Sequence, residues 1–205
     1  MTTETRRAVT LMLKNKRLGF VDLAEPRSVN GGKPSYGARI IIDPKDPDVK
    51  VINDAIAEIA TTQWKDKAKN VVEMLTEKGR VAFLQKEYRN LKGEVHKGFE
   101  GMYSIGGSAP SDKQPGCYDN VRGPDGKPLQ LEGDAIRRKL YSGCYANVKV
   151  EIYPLLRDDG NRINCAILGV QFSGDGEAFG GGSGPATADD FAEFAVDAPE
   201  VDDLF

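Results

Sequence analysis

The sequence predicts a mainly β chain with one substantial helix. Three observations carry that prediction: short β-branched and apolar runs separated by turn residues, one long stretch of helical spacing, and a C-terminal stretch with neither pattern. The first run spans Arg7 to Phe20, where Ala8-Val9-Thr10-Leu11-Met12-Leu13-Lys14 reads as a strand with Lys14, Lys16 and Arg17 at its far end. Pro26, Asn30-Gly31-Gly32 and Pro34 then mark a loop, and Tyr36 to Asp43 reads as a second strand. Asp48 is placed to cap a helix through Lys78, because Val51, Ile52, Ala55, Ile56, Ile59 and Ala60 recur at helical spacing. The spacing allows a bend near Gln63 to Asp66, and Gly79 supplies the stop.

Arg80 to Arg89 and Phe99 to Gly107 read as further strands, whereas Ser108 to Asp119 is too rich in Pro and Gly to be regular. The clearest hairpin joins Tyr145–Leu156 to Arg162–Phe172 through Asp158-Asp159-Gly160-Asn161. Trp64, Phe20, Phe83 and Phe172 fall in apolar contexts and are assigned to the core. Residues 1–172 form the predicted domain and residues 173–205 a tail, whose Gly180-Gly181-Gly182-Ser183-Gly184 has the composition of a flexible linker.

Charge divides the chain at the same place. All 28 Lys and Arg lie in residues 1–172, giving that part a net charge of +6, while residues 173–205 hold nine acids and no base. A basic body joined to an acidic tail points to a polyanion partner for the body. A tail that merely solvates an ordinary domain is the alternative. Within the tail, Phe191, Phe194, Leu204 and Phe205 sit among the acids, the pattern of a segment that docks on something.

Several chemistries are missing. His96 is the only histidine, so sites built from two histidines are excluded, and its polar setting suggests an ordinary solvated side chain. Cys117, Cys144 and Cys165 form no CxxC and read as reduced thiols. No GxxxxGK[ST] is present, and the pairs Asp158-Asp159 and Asp202-Asp203 lie in a turn and at a terminus. No catalytic residue, metal or cofactor is expected. No apolar run reaches the ~20 residues of a membrane-spanning helix, and the start lacks the apolar core of a secretory signal, so a soluble cytoplasmic protein is expected.

What remains is rings interleaved with cations. A protein that grips single strands without reading sequence needs cations for phosphates and flat rings for unpaired bases. The body holds twelve Phe, Tyr and Trp, including all seven Tyr. The candidate contacts are Tyr36, Tyr88, Tyr103 and Tyr118 for stacking, and Lys14, Lys16, Arg17, Arg39, Arg89, Lys97 and Lys149 for charge. A core role for each ring is the competing reading, since strand register decides which face it occupies.

The chain resembles the bacteriophage-encoded single-stranded DNA-binding proteins with an OB fold. The resemblance rests on Glu25-Pro26 followed by Lys33-Pro34-Ser35-Tyr36-Gly37-Ala38, on Tyr141-Ser142-Gly143-Cys144-Tyr145 before the long hairpin, and on the Gly-rich acidic tail. It implies a five-stranded antiparallel OB barrel, with the Asp48–Lys78 helix as an insertion or cap. It implies binding and protection of single-stranded DNA without strong sequence preference, during phage replication, recombination or repair in the host cytoplasm. The ending Asp202-Asp203-Leu204-Phe205 is similar to the acidic tips of single-strand binders and implies docking on replication or recombination proteins. Leu204 departs from the Pro common before the last Phe, which leaves the partner's identity open. Monomer and dimer both remain open, as does RNA as the polymer. The rival readings are a protein-interaction or virion component whose basic body is incidental, and a nucleic-acid enzyme such as a nuclease.

Overall fold

The computed structural model describes residues 7–28 and 31–179. Eight strands share one sheet: β1 (Val9–Arg27), β2 (Ser35–Ile42), β3 (Phe83–Leu84), β4 (Tyr103–Pro110), β5 (Gly116–Arg122), β6 (Pro128–Gln130), β7 (Tyr145–Leu155) and β8 (Arg162–Gly174). Their order is β3-β4-β2-β1-β7-β8-β5-β6, and a further parallel pairing of Ser108 with Ala166 joins β4 to β8. That pairing closes β1, β2, β4, β8 and β7 into the five-stranded barrel of an OB fold. Gly107 makes the closure possible, because a Cβ there would stand 2.7 Å from Ile167 Cγ1. Leu13, Leu18, Ile40, Ile105, Val148, Val150, Ile163 and Val170 fill the interior, each at most 1% exposed.

The helical stretch is broken where the spacing allowed a bend. α1 (Asp48–Trp64) gives way to a single tight turn at Lys65–Lys67, and α2 (Ala68–Glu77) resumes. Gly79 then ends α2 at φ 62°, with Gly79 N–H on Thr76 O at 3.0 Å and Arg80 N–H on Leu75 O at 2.7 Å, a Schellman stop. α1 seats Ile52, Ile56 and Ile59 in the core. Asp48 does not cap it: the Asp48 N–H donates to Asp46 Oδ1 at 2.9 Å, and the Asp48 carboxylate instead pairs with Lys16 at 2.8 Å.

Further expectations are corrected, among them the Phe99–Gly107 strand, which begins only at Tyr103 as β4. Only Phe83–Leu84 of the expected Arg80–Arg89 strand is paired as one, and residues 85–102 form a long excursion. Ser108 to Asp119 is more regular than its prolines suggested, since Pro110 ends β4 and Pro115 precedes β5, where the missing N–H costs no ladder bond. β1 continues past Phe20 to Arg27 by adopting left-handed backbone at Asn15 (φ 49°) and Phe20 (φ 51°), each beside a register shift. That twist turns Phe20 out of the core, leaving it 46% exposed. Phe83 and Phe172 are buried as expected, and Trp64 is partly buried against the core. A six-residue helix, α3 (Asp134–Lys139), is too short to have left a period in the sequence.

β8 runs to Gly174, and residues 175–179 lie back against the barrel. The linker from Gly180, the apolar residues Phe191 and Phe194, the tip Asp202-Asp203-Leu204-Phe205 and the Asn30 turn residue lie outside the described residues. Among the described residues, no helix is long and apolar enough to cross a membrane.

Candidate nucleic-acid interface

The outer face of β1, β2 and β4 is laid out in rows by register: Arg17–Ile41–Ser104, Gly19–Arg39–Gly106, and Asp22–Gly37–Ser108. Three glycines in these rows leave a trough, and two side-chain groups fill it. Phe99 lies over Gly19, where a Cβ would stand 2.7 Å from its ring. The Arg39 guanidinium lies across Gly106, donates to Ser104 Oγ at 2.9 Å, and is covered by the Tyr88 ring, 3.9 Å from Cζ to centroid. Burial lowers the Arg39 pKa, and hydrogen bonding and charge attraction with Tyr88 oppose the shift.

Tyr88, His96 and Phe99 come from the excursion 85–102, which is ordered by its own polar groups. The Asn90 side chain accepts the N–H groups of Lys92 (2.9 Å) and Glu94 (3.0 Å), and His96 N–H donates to Tyr88 O at 3.0 Å. At its base the Glu87 carboxylate accepts the Gly101 N–H at 2.9 Å and pairs with Arg89, which hold its pKa below the usual carboxylate range. Phe20 completes the cluster, edge-on to Tyr88 (5.4 Å) and His96 (4.8 Å) and tilted against Phe99 (5.7 Å). Left-handed backbone is strained for a bulky side chain, and here the ring contacts hold it. Beside the cluster, Leu84, Lys86, Tyr88, Arg89, Met102 and Tyr103 line a groove of about 730 Å³.

The chain's own segment Asp175–Phe179 lies over the other side of this platform. Phe179 stacks on the Arg17 guanidinium at 4.3 Å and leans on Phe99 at 6.3 Å. The Glu177 carboxylate pairs with Lys97 at 2.7 Å, and the Glu177 carbonyl accepts Arg17 Nη2 at 2.6 Å. The Phe179 N–H donates to Ser142 O at 2.9 Å, and the Gly176 N–H donates to Tyr141 Oη at 3.1 Å. A carboxylate on a lysine and a ring on an arginine reproduce the two contacts that a nucleotide's phosphate and base would make.

The predicted residues therefore separate. Arg17, Arg39, Tyr88, Arg89, Lys97 and Tyr103 gather on or beside the platform, with Tyr103 also edge-on to Phe83 at 6.2 Å. Lys14, Tyr118 and Lys149 are exposed on a different face, built by β1, β7, β8 and β5. Tyr36 is 9% exposed and belongs to the core. Lys16 is also 9% exposed and is clamped between Asp46 (2.6 Å) and Asp48 (2.8 Å), so its charge is already matched. Burial favours its neutral form, but the two carboxylates outweigh that and raise its pKa.

Phe20, His96, Phe99 and Tyr145, with Arg17 over the last at 5.9 Å, are platform residues that sequence reasoning did not nominate. The available signal was Gly19 beside Phe20, and three rings at 88, 96 and 99 in an otherwise polar stretch. Among the described residues, no three His, Cys, Asp or Glu side chains converge as a metal site.

A family model described as the single-stranded DNA-binding protein of Enterobacter phage Enc34 matches residues 9–204. The chain belongs to this family. A relative, putative protein p50 of Acyrthosiphon pisum secondary endosymbiont phage 1, is 29% identical over 194 residues, 91% of this chain and 94% of that protein. Among solved structures, the bacteriophage Enc34 single-stranded DNA-binding protein in complex with ssDNA superposes with a TM-score of 0.65 at 18% identity, covering 83% of this chain and 89% of that one. Another structure of the bacteriophage Enc34 single-stranded DNA-binding protein gives a TM-score of 0.62 at 18% identity, covering 86% of this chain and 87% of that one. At these identities the structural matches establish the shared barrel.

Proposed function

We propose that this protein binds single-stranded DNA on the outer face of β1, β2 and β4, with little sequence preference, and protects it during phage DNA replication, recombination or repair. The observation that carries the reading is the Arg39–Tyr88 stack on a glycine-floored sheet, flanked by Phe20, His96, Phe99 and the cations Arg17, Arg89 and Lys97. Unpaired bases stack on such rings for ~1–3 kcal/mol each, whatever the base, while the cations neutralise phosphates. Membership of a family named for a single-strand binder supports the same reading.

The segment Asp175–Phe179 occupies part of this platform, so DNA displaces it on binding, and the acidic chain beyond it becomes free to recruit replication or recombination proteins. Fluorescence anisotropy of labelled oligo-dT, matched duplex and matched RNA across a salt series tests the proposal. The expected result is salt-sensitive binding that favours oligo-dT over duplex. Equal affinity for duplex, or binding indifferent to salt, refutes it and favours a protein-interaction role.

A further inference from the structure

A second concave surface lies on the face built by β1, β7, β8 and β5. Its floor is open at Gly169 of β8, which lies in one row with Met12, Lys149 and Gly116. The Tyr118 ring folds over Gly116, where a Cβ would meet its hydroxyl at 2.8 Å, and a Cβ on Gly169 would stand 3.3 Å from Gly116 O. Met12, Leu129 and Leu168 form apolar walls, and they are 50%, 44% and 37% exposed. The groove has a volume of about 770 Å³.

Its rim is cationic. Lys127 and Lys149 line it, and Lys14 stands exposed two residues beyond Met12. Of these, none has a carboxylate partner among the described ion pairs. The lining carboxylate of Asp125 is turned into its own loop, where it accepts the Lys127 N–H at 3.0 Å. Two of the three lining amides are engaged with each other, Asn147 donating to Gln171 at 3.1 Å, while Gln130 is the third. A largely apolar slot edged by lysines that no described ion pair engages suits a ring flanked by carboxylates. It suits a polynucleotide poorly, since phosphates would be spaced along a mostly apolar surface.

The chain carries a segment of that chemistry. Residues 189–205 contain seven acids, no base, and Phe191, Phe194, Leu204 and Phe205. We infer that this acidic C-terminal segment docks on the β1–β7–β8–β5 face, with an aromatic side chain over Gly169 beside the Tyr118 ring and its carboxylates on Lys127, Lys149 and Lys14. Reach permits it within one molecule. Met12 lies five residues along β1 from Arg17, roughly 17 Å at strand rise, and the 26 residues after Phe179 span up to roughly 90 Å fully extended. Docking there holds the acidic segment off the DNA platform and gives it a resting place distinct from any partner protein's pocket.

The test is zero-length carbodiimide coupling of the full-length protein at low micromolar concentration, followed by peptide mass spectrometry. Coupling of Glu200, Asp202 or Asp203 is expected on Lys149, Lys127 and Lys14 at several times the level on Lys45, Lys69 and Lys113, which are also exposed. Leu168→Glu, which puts a carboxylate in the slot, and Phe205→Ala should each cut that coupling several-fold while leaving oligo-dT affinity close to that of the parent. Coupling spread evenly over exposed lysines, or concentrated on Lys97, overturns the inference. So does a loss of oligo-dT affinity in Tyr118→Ala as large as in Tyr88→Ala, which would make this face part of the DNA path.

Discussion

The contact between Asp175–Phe179 and the platform makes a quantitative prediction about DNA binding. The perturbation is the double variant Glu177→Gln/Phe179→Ala. It removes the carboxylate 2.7 Å from Lys97 and the ring 4.3 Å from the Arg17 guanidinium, and leaves the backbone bonds to Ser142 and Tyr141 in place. An exposed cation–π contact contributes ~0.5–1 kcal/mol, and the ion pair of the fully exposed Glu177 adds only a salt-screened increment. At 1.4 kcal/mol per factor of ten, removing the ring alone should raise oligo-dT affinity roughly 2- to 5-fold, with truncation after Gly174 giving at least as much. Anisotropy titrations against salt give the measurement. The gain should shrink toward 1 M salt, where screening acts within ~3 Å and the Glu177–Lys97 contribution fades. Equal affinity of parent and variant at every salt concentration would show that the segment does not compete with DNA. A loss of affinity would show that Phe179 is itself a stacking surface.

Tyr88→Ala removes one base platform and uncovers Arg39, so oligo-dT affinity should fall by ~1–3 kcal/mol, or roughly 5- to 150-fold, in the same titration. Asp46→Asn should cost about 1–2 kcal/mol in urea unfolding, less than a fully broken buried pair, because Asp48 still holds Lys16 at 2.8 Å. The pH dependence follows from the same pair. The folded Asp46 pKa is lowered: burial works against the shift and the hydrogen bond from Lys16 outweighs it. Its contribution is therefore present above the unfolded value near 3.8 and is lost as pH falls through the lower folded value. Parent and Asp46→Asn melting temperatures should converge in that acid range and not near neutrality. Burial pushes the thiols of Cys117 and Cys144 up to about 11 and that of Cys165 up to about 12, so a thiol-reactive dye at pH 8 should label the native protein only as fast as it unfolds. Gly107→Val should destabilise the barrel by about 1–3 kcal/mol, because its side chain would enter the space of Ile167. Unchanged urea midpoints there would show that the barrel closure tolerates a wider gap.

Where local rules operate alone, the fold was legible. The helical spacing of Val51 to Ala60, the Gly79 stop and the Asp158–Asn161 turn each rest on contacts within a few residues, and each element forms where its pattern lies. Phe20 was misread because apolar context predicts burial only if the strand keeps its period of two. Left-handed backbone at Phe20 and the register shift between Gly19 and Asp22 break that period, and no single-residue preference announces it. Residues 85–89 and 99–102, expected to be strand, were misread for a related reason, and β4 starts only at Tyr103. Their order comes from Asn90, Glu87 and the ring cluster, which are tertiary or loop contacts that strand propensity does not weigh.

The candidate site shows how far composition reaches. Counting rings and cations along the body nominates residues that the fold distributes over two concave surfaces, because each surface is built from the same residue types. It cannot partition them, since barrel closure is what sends Arg39 and Tyr88 to one side and Lys149 and Tyr118 to the other. Charge is then the discriminating quantity, and only the structure supplies it. On the β1–β2–β4 face, Arg17 and Lys97 already hold a carbonyl and a carboxylate from the chain's own tail, a competition that salt and DNA both disturb. On the opposite face Lys127 and Lys149 edge an apolar slot. If the acidic residues after Phe179 dock as inferred above, the balance between these two surfaces should set how readily the first is open to a strand.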